Sequence, residues 1–181
     1  MGFITGLARM EHTGINGTWR ILDNQLFKNG SDLYIIPRNF LTDNYTIPNW
    51  ITWLAGAGDD YDVRPSHFHD FGCWFHSMVK VDADLEYLEQ IGIVRNKLCK
   101  DGEMRTICED IPTQFLITVP MKKNEVDNLF KEMMLATGNI TKFTASKLRA
   151  GVFFNIGWFF TNHSIDYEKF YTGVNPGYLY K

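Results

Sequence analysis

The spacing of apolar side chains changes along the chain and divides it into strands followed by helices. Between 15 and 41, "TWRILDNQLF" and "DLYIIPRNFL" place apolar residues at alternate positions on either side of "KNGSD". Period-two alternation around an Asn-Gly step predicts a β-hairpin. "TDNYTIPNWITWLAG" then departs from alternation, and a helix is expected there with Thr46 as N-cap, Pro48 near its first turn and Gly56 and Gly58 as its stop. "SHFHDFGCWFHSMVKV" (66–81) reads as a second helix and "DADLEYLEQIG" (82–92) as a short amphipathic one. In "KKNEVDNLFKEMMLATG" (122–138), Val126, Phe130, Met133 and Met134 share one side of a helix that Gly138 stops. "TASKLRAGVFFNIGWFF" (144–160) is a final apolar helix. Residues 93–120 mix charges, Gly and the strand-like "TQFLITVP", and 161–181 reads as irregular chain.

Strands first and helices afterwards predict an α+β fold, with an N-terminal antiparallel β-hairpin or small sheet followed by a bundle of three or four helices. A length of 181 residues fits a single domain, 1–181. Within it, 15–45 carries strands, 46–76 the turn and a His-Asp helix, 77–121 an insertion, 122–160 two core helices and 161–181 a C-terminal tail.

Composition narrows the function classes. The chain is 15% aromatic, with 14 Phe, which suits an aromatic core or binding face. A net charge of -3 argues against a nucleic-acid partner, because phosphate binding needs a surplus of Lys and Arg. Cys73, Cys99 and Cys108 are odd in number and far apart, so a reducing compartment is expected rather than a disulfide framework. "MGFITGLARM" lacks the pattern of a secretory leader, and "AGVFFNIGWFF" (150–160) is too short to cross a bilayer, so no transmembrane segment is expected.

The candidate chemistry centres on "RPSHFHDFGCWFH" (64–76), which holds three of the five histidines. Neighbouring helical side chains point about 100° apart, so His69 and Asp70 cannot act as a dyad on one face. They can divide the work of a metal-assisted hydrolase, His69 as general base and Asp70 as an oxygen ligand to a cation. The plainer alternative is a packed helix in which His69 satisfies a buried carbonyl and Asp70 caps or pairs with Arg64 or Arg149. His67, His76 and Cys73 read as packing. Asp43 is either a turn carboxylate or a second acid brought toward His69, and Asp127 lies near the apolar side of its helix. The acids Asp59, Asp60 and Asp62 beside Gly56 and Gly58 suit a calcium loop only loosely.

Four stretches in this order, "PRNFLTDNYTIPNW" (37–50), "HFHDFGCWF" (67–75), "VDNLFKEMM" (126–134) and "KLRAGVFFNIGW" (147–158), resemble domain-of-unknown-function family 1353 of bacteriophages and prophages. The resemblance covers most of 19–158. It implies one polar cluster made of Asp43, His69, Asp70, Asp127 and Arg149. Val126 stands where that family favours Ala, and the 77–121 stretch is longer than expected. A looser similarity, to phospholipase A2-like enzymes, implies His69 as base, Asp127 as its orienting acid, and Asp70 with the 56–62 loop around a divalent cation such as Ca2+. Three cysteines do not supply that group's disulfide scaffold.

Three functions follow from these resemblances. The first is a phage hydrolase acting on a lipid ester or cell-wall bond, with His69, Asp127 and Asp43 catalytic, Asp70 on the metal and Arg149 binding. The alternative is a non-enzymatic virion component, a tail or neck accessory, whose partners are other phage virion proteins bound through aromatics such as Trp50, Trp53, Tyr167, Tyr171 and Tyr178. The minor third is an inhibitor of a host defence system. The expected location is the host cytoplasm during infection, or the virion.

Overall fold

The structure is a computed structural model that describes residues 1–14, 18–42, 62–99, 102–138, 140–153 and 164–172. Among these residues the chain is mixed α+β, with ten strands in antiparallel sheets and five helices. The strands are β1 (Gly2–Phe3), β2 (Met10–His12), β3 (Trp19–Ile21), β4 (Gln25–Asn29), β5 (Asp32–Ile36), β6 (Leu41–Thr42), β7 (Ser77–Val81), β8 (Val94–Leu98), β9 (Met104–Cys108) and β10 (Leu116–Pro120). The helices are α1 (Arg64–Phe75), α2 (Leu85–Gln90), α3 (Lys123–Ala136), α4 (Lys142–Phe153) and α5 (Tyr167–Thr172).

The expected hairpin is present. Asn29 pairs with Asp32 across a two-residue turn, and Gly30 sits at its first position with φ 61°, a conformation in which a Cβ would be strained. β4 and β5 form the middle of a five-stranded sheet of order β1-β4-β5-β7-β10. Alternation divides its residues between two faces. Gln25 and Phe27 meet α1 on one face, through His67 and Phe68. Leu26, Ile35 and Val79 point the other way and are fully buried, so both faces are covered. β2, β3 and β6 make a second, three-stranded sheet, and β8 and β9 pair as a separate hairpin.

The helix expected over 66–81 ends earlier. His76 takes the left-handed conformation (φ 47°, ψ 32°), and from Ser77 the chain runs as β7. Val79 and Val81, β-branched and two residues apart, suit a strand, and β7 pairs with β5 on one side and β10 on the other. The 77–121 stretch therefore contributes two strands to the principal sheet rather than being appended to it. The 82–92 and 122–138 helices form as α2 and α3. Val126, Phe130, Met133 and Met134 are buried, and Gly138 follows the helix end with φ 76°. Part of the 161–181 tail is helical, as α5, instead of irregular. A helix bundle is not confirmed, since α1 lies against the sheet, α3 against α1, and α4 against α3. The helix expected over 46–55 lies outside the described residues.

α1 and α3 approach closely where the chain provides no side chain. A Cβ at Gly72 would lie 2.7 Å from Val126 Cγ1 and 3.3 Å from Met78 Sδ, too close for either to accept without moving. The Val126 side chain thus fills the place a methyl group would take. Gly72→Ala is expected to cost about 1–3 kcal/mol of unfolding free energy. In a Val126→Ala background the same change should cost much less. Urea unfolding of the four proteins in this cycle measures both values, and equal costs in the two backgrounds would show that the contact does not limit the helix approach.

Candidate functional site

α1 turns an unusual set of polar side chains inward: Ser66, His67, His69 and Asp70 are all buried. Buried polar groups require partners, and each histidine finds a different one. His69 lies opposite Asp127 of α3, Nε2 to Oδ1 at 3.0 Å, and both side chains have no exposure to solvent. Because an ionised carboxylate only accepts, the imidazole donates from Nε2. Lys123, one helical turn before Asp127, closes the cluster with Nζ at 2.9 Å and 3.0 Å from the two carboxylate oxygens. The His69 ring also packs against Phe130, with centroids 5.0 Å apart.

Burial alone would push the Asp127 carboxyl up, but hydrogen bonds from His69 and Lys123, reinforced by their charge, hold it below its usual value. The lysine precedes its acid by four residues, the less favourable order for an exposed helical pair, and it sits at the helix end where a cation is least welcome. Its placement is explained by the buried carboxylate. Lys123 was not singled out from the sequence, although its i, i+4 spacing from Asp127 was available there.

Cys73, one turn after His69, has its sulfur 3.8 Å from Nδ1 and 3.7 Å from Nε2. Burial, with the carboxylates of Asp70 and Asp127 nearby, pushes this thiol far up despite the opposing charge of Lys123. It is a neutral side chain against the ring and not a thiolate nucleophile. Asp70 turns away from Asp127 and accepts from Thr42 Oγ1 at the end of β6. It does not pair with Arg64, which binds Asp62 through contacts of 2.5 to 3.0 Å and donates to the Thr5 carbonyl.

The sequence-predicted set is thus only partly assembled. Asp127 reaches His69, while Asp70 is one residue along α1 and held by a threonine. Arg149 is on α4, its buried Nε has no hydrogen-bond partner, and no hydrogen bond or ion pair joins it to His69, Asp70 or Asp127 among the described residues. Asp43, Trp50, Trp53, Tyr178 and the Gly56–Asp60 loop lie outside the described residues. Among the described residues no group of three His, Cys, Asp or Glu side chains is placed to hold a cation. Asp70 accepts from Thr42 and Asp62 binds Arg64, and the rest of the loop expected to share a cation with them lies outside the described residues. Tyr167 and Tyr171 are half-buried rather than exposed, with the Tyr167 hydroxyl against Thr118.

His67 forms a second buried pair, its Nδ1 2.8 Å from Gln25 Nε2 on β4. The amide donates and the imidazole accepts, so the ring is neutral, and burial lowers its pKa from 6.5 to about 4. Comparison of the chain with known protein families, curated proteins and solved structures gives no match. Among the described residues no helix is long and apolar enough to cross a membrane.

Two outcomes follow from these pairs. Asp127→Ala leaves the buried His69 N–H without its acceptor and the half-buried Lys123 ammonium without its carboxylate, and is expected to cost about 3 kcal/mol in denaturant unfolding. His67 binds a proton in the unfolded chain at higher pH than in the folded one. Its neutral state destabilises nothing above pH 6.5, and stability falls as pH drops from 6.5 to about 4, with a limiting slope of about 1.4 kcal/mol per pH unit. In His67→Gln that slope should be shallower by one proton; an unchanged profile would place the acid sensitivity elsewhere.

Proposed function

We propose that this chain is a bacteriophage protein that works by binding, as a non-enzymatic virion or assembly component such as a tail or neck accessory. The observation that carries the non-enzymatic half is the closure of the Lys123–Asp127–His69 cluster. His69 and Asp127 are fully buried, so the imidazole lacks the contact with solvent that a general base acting on water uses, which supports this reading. The cluster has the form of a helix-locking network: Lys123 and Asp127 of α3 balance each other's charge, and His69 of α1 donates to the same carboxylate. The phage half rests on the four ordered stretches in 37–158 that resemble family 1353.

The second reading, a hydrolase, is favoured by one contact, the His69–Asp127 pair itself. A carboxylate that fixes an imidazole is the usual way to orient a general base. It requires an opening beside His69.

Mass spectrometry of purified particles of a phage carrying this chain tests the proposal. The protein is expected in the virion at a stoichiometry of several copies or more, and His69→Gln particles that assemble should retain infectivity. Absence from both virions and assembly intermediates would remove the binding role. Esterase or wall-degrading activity abolished by His69→Gln, with the fold intact, would establish the second reading instead.

A further inference from the structure

A different group of charged residues surrounds an open site of ligand size. The Thr5–Arg9 segment runs beside β9, with Gly6 N–H donating to the Thr106 carbonyl at 3.1 Å. With the β8–β9 hairpin and the Leu22–Asn24 turn, it bounds a pocket of about 650 Å³. That volume is within the range of small-molecule sites, roughly 300–1,000 Å³.

The floor is fixed by one buried amide. Asn24 Nδ2 donates to the Glu109 carbonyl at 2.9 Å and to Asp110 Oδ1 at 3.2 Å, while its Oδ1 accepts the Arg38 N–H at 2.7 Å. Arg38 grips the Asp110 carboxylate through two contacts of 2.8 Å. The charge of that floor is cancelled. The side wall is different. Arg9 binds Asp23 at 2.7 and 2.9 Å, and Lys97 lies near the same carboxylate without an ion pair among the described residues. Two cations thus share one anion, and Glu109, the other acid on the wall, is already engaged by Arg95 at 2.6 Å.

Arg105, also on the lining, is paired with Glu103 at 3.2 Å, and beside these charges the lining carries aliphatic side chains. Leu7, Leu22, Leu98 and Ile107 contribute to it, and Leu7 and Leu98 are 57% and 65% exposed, so apolar surface faces the open space. No lining residue is aromatic, in a chain that is 15% aromatic, so the pocket offers no platform for stacking a planar ring.

We propose that this pocket binds an aliphatic anion, a carboxylate or phosphate monoester head set against Lys97 and Arg9 with a saturated chain along Leu7, Leu98 and Ile107. The two head groups share the charge that Lys97 recognises and differ in size and valence.

Titration calorimetry of the full chain with octanoate and with octyl phosphate, below their aggregation concentrations, tests this. Octylamine and inorganic phosphate serve as controls. At least one of the octyl anions is expected to bind, and which one binds more tightly identifies the head group. Lys97→Glu and Leu98→Asp, both at exposed positions, should each weaken binding by about tenfold or more without changing Tm. Cys99 supplies an independent readout: it lines the pocket half-exposed while Cys73 and Cys108 are buried, so the bound anion should slow its alkylation by iodoacetamide. Failure of both anions to bind overturns the proposal. So does octylamine binding as well as the anions, inorganic phosphate binding as tightly as octyl phosphate, or wild-type affinity in either variant.

Discussion

A carboxylate placed where water cannot reach it must be answered by donors from the protein, and Asp127 is placed in that way. One donor comes from its own helix, Lys123, and the other from α1, His69. The two helices therefore have to meet at a fixed height and rotation, and Gly72 against Val126 allows them to come near enough. α1 in turn lies on the sheet through Phe68 and His67, so the position of β4 and β5 relative to α3 depends on the same contact. Replacing such a network with apolar side chains is often neutral for stability, whereas removing one member is costly. Its value is in specifying a single register between helices that are otherwise lined with interchangeable Phe, Met and Val.

The parts of this arrangement that could be read in the sequence are those set by local period. The β4–β5 turn, α2 and α3 follow from alternation, helical spacing and glycine stops, and the apolar side of α3 is the one that is buried. Asp127 neighbours that side, which makes it a candidate in the sequence. What local pattern could not supply was the boundary at His76. "HSMVKV" continues an apolar run, and only pairing to β5 and β10, strands far off in the chain, makes it extended. The same limit applies to partners. His67 reads as packing, but that its acceptor nitrogen meets Gln25 depends on which face of β4 turns inward. Asp70 and Asp127 look alike as acids near His69, yet one is given to Thr42 and the other to the imidazole. Lys123 was legible in principle from its spacing alone.

Polar chemistry in this molecule is divided between two environments. In the interior, the Asp127 carboxylate is met by His69 and Lys123 and is closed off from solvent. At the Arg9–Lys97 wall the side chains remain partly hydrated, and charge there is in slight excess beside aliphatic surface. A histidine attracts the eye in a sequence, but accessibility distinguishes a reactive position from a structural one. By that measure the hairpin side of the fold is where another molecule can be met.

The Asn24 amide has a consequence for the order in which the chain matures. Its donors are satisfied by Cys108, Glu109 and Asp110, 84 to 86 residues away, and the neighbouring Arg38 donates to the Tyr171 carbonyl 133 residues away. Until those distant segments have been synthesised, water takes their place at the β3–β4 turn amide and at the Arg38 guanidinium. Closing loops of that length is slow relative to forming a hairpin. On the ribosome, then, the N-terminal strands wait as a provisional structure until residues 108–110 and 171 have been made and can close these contacts.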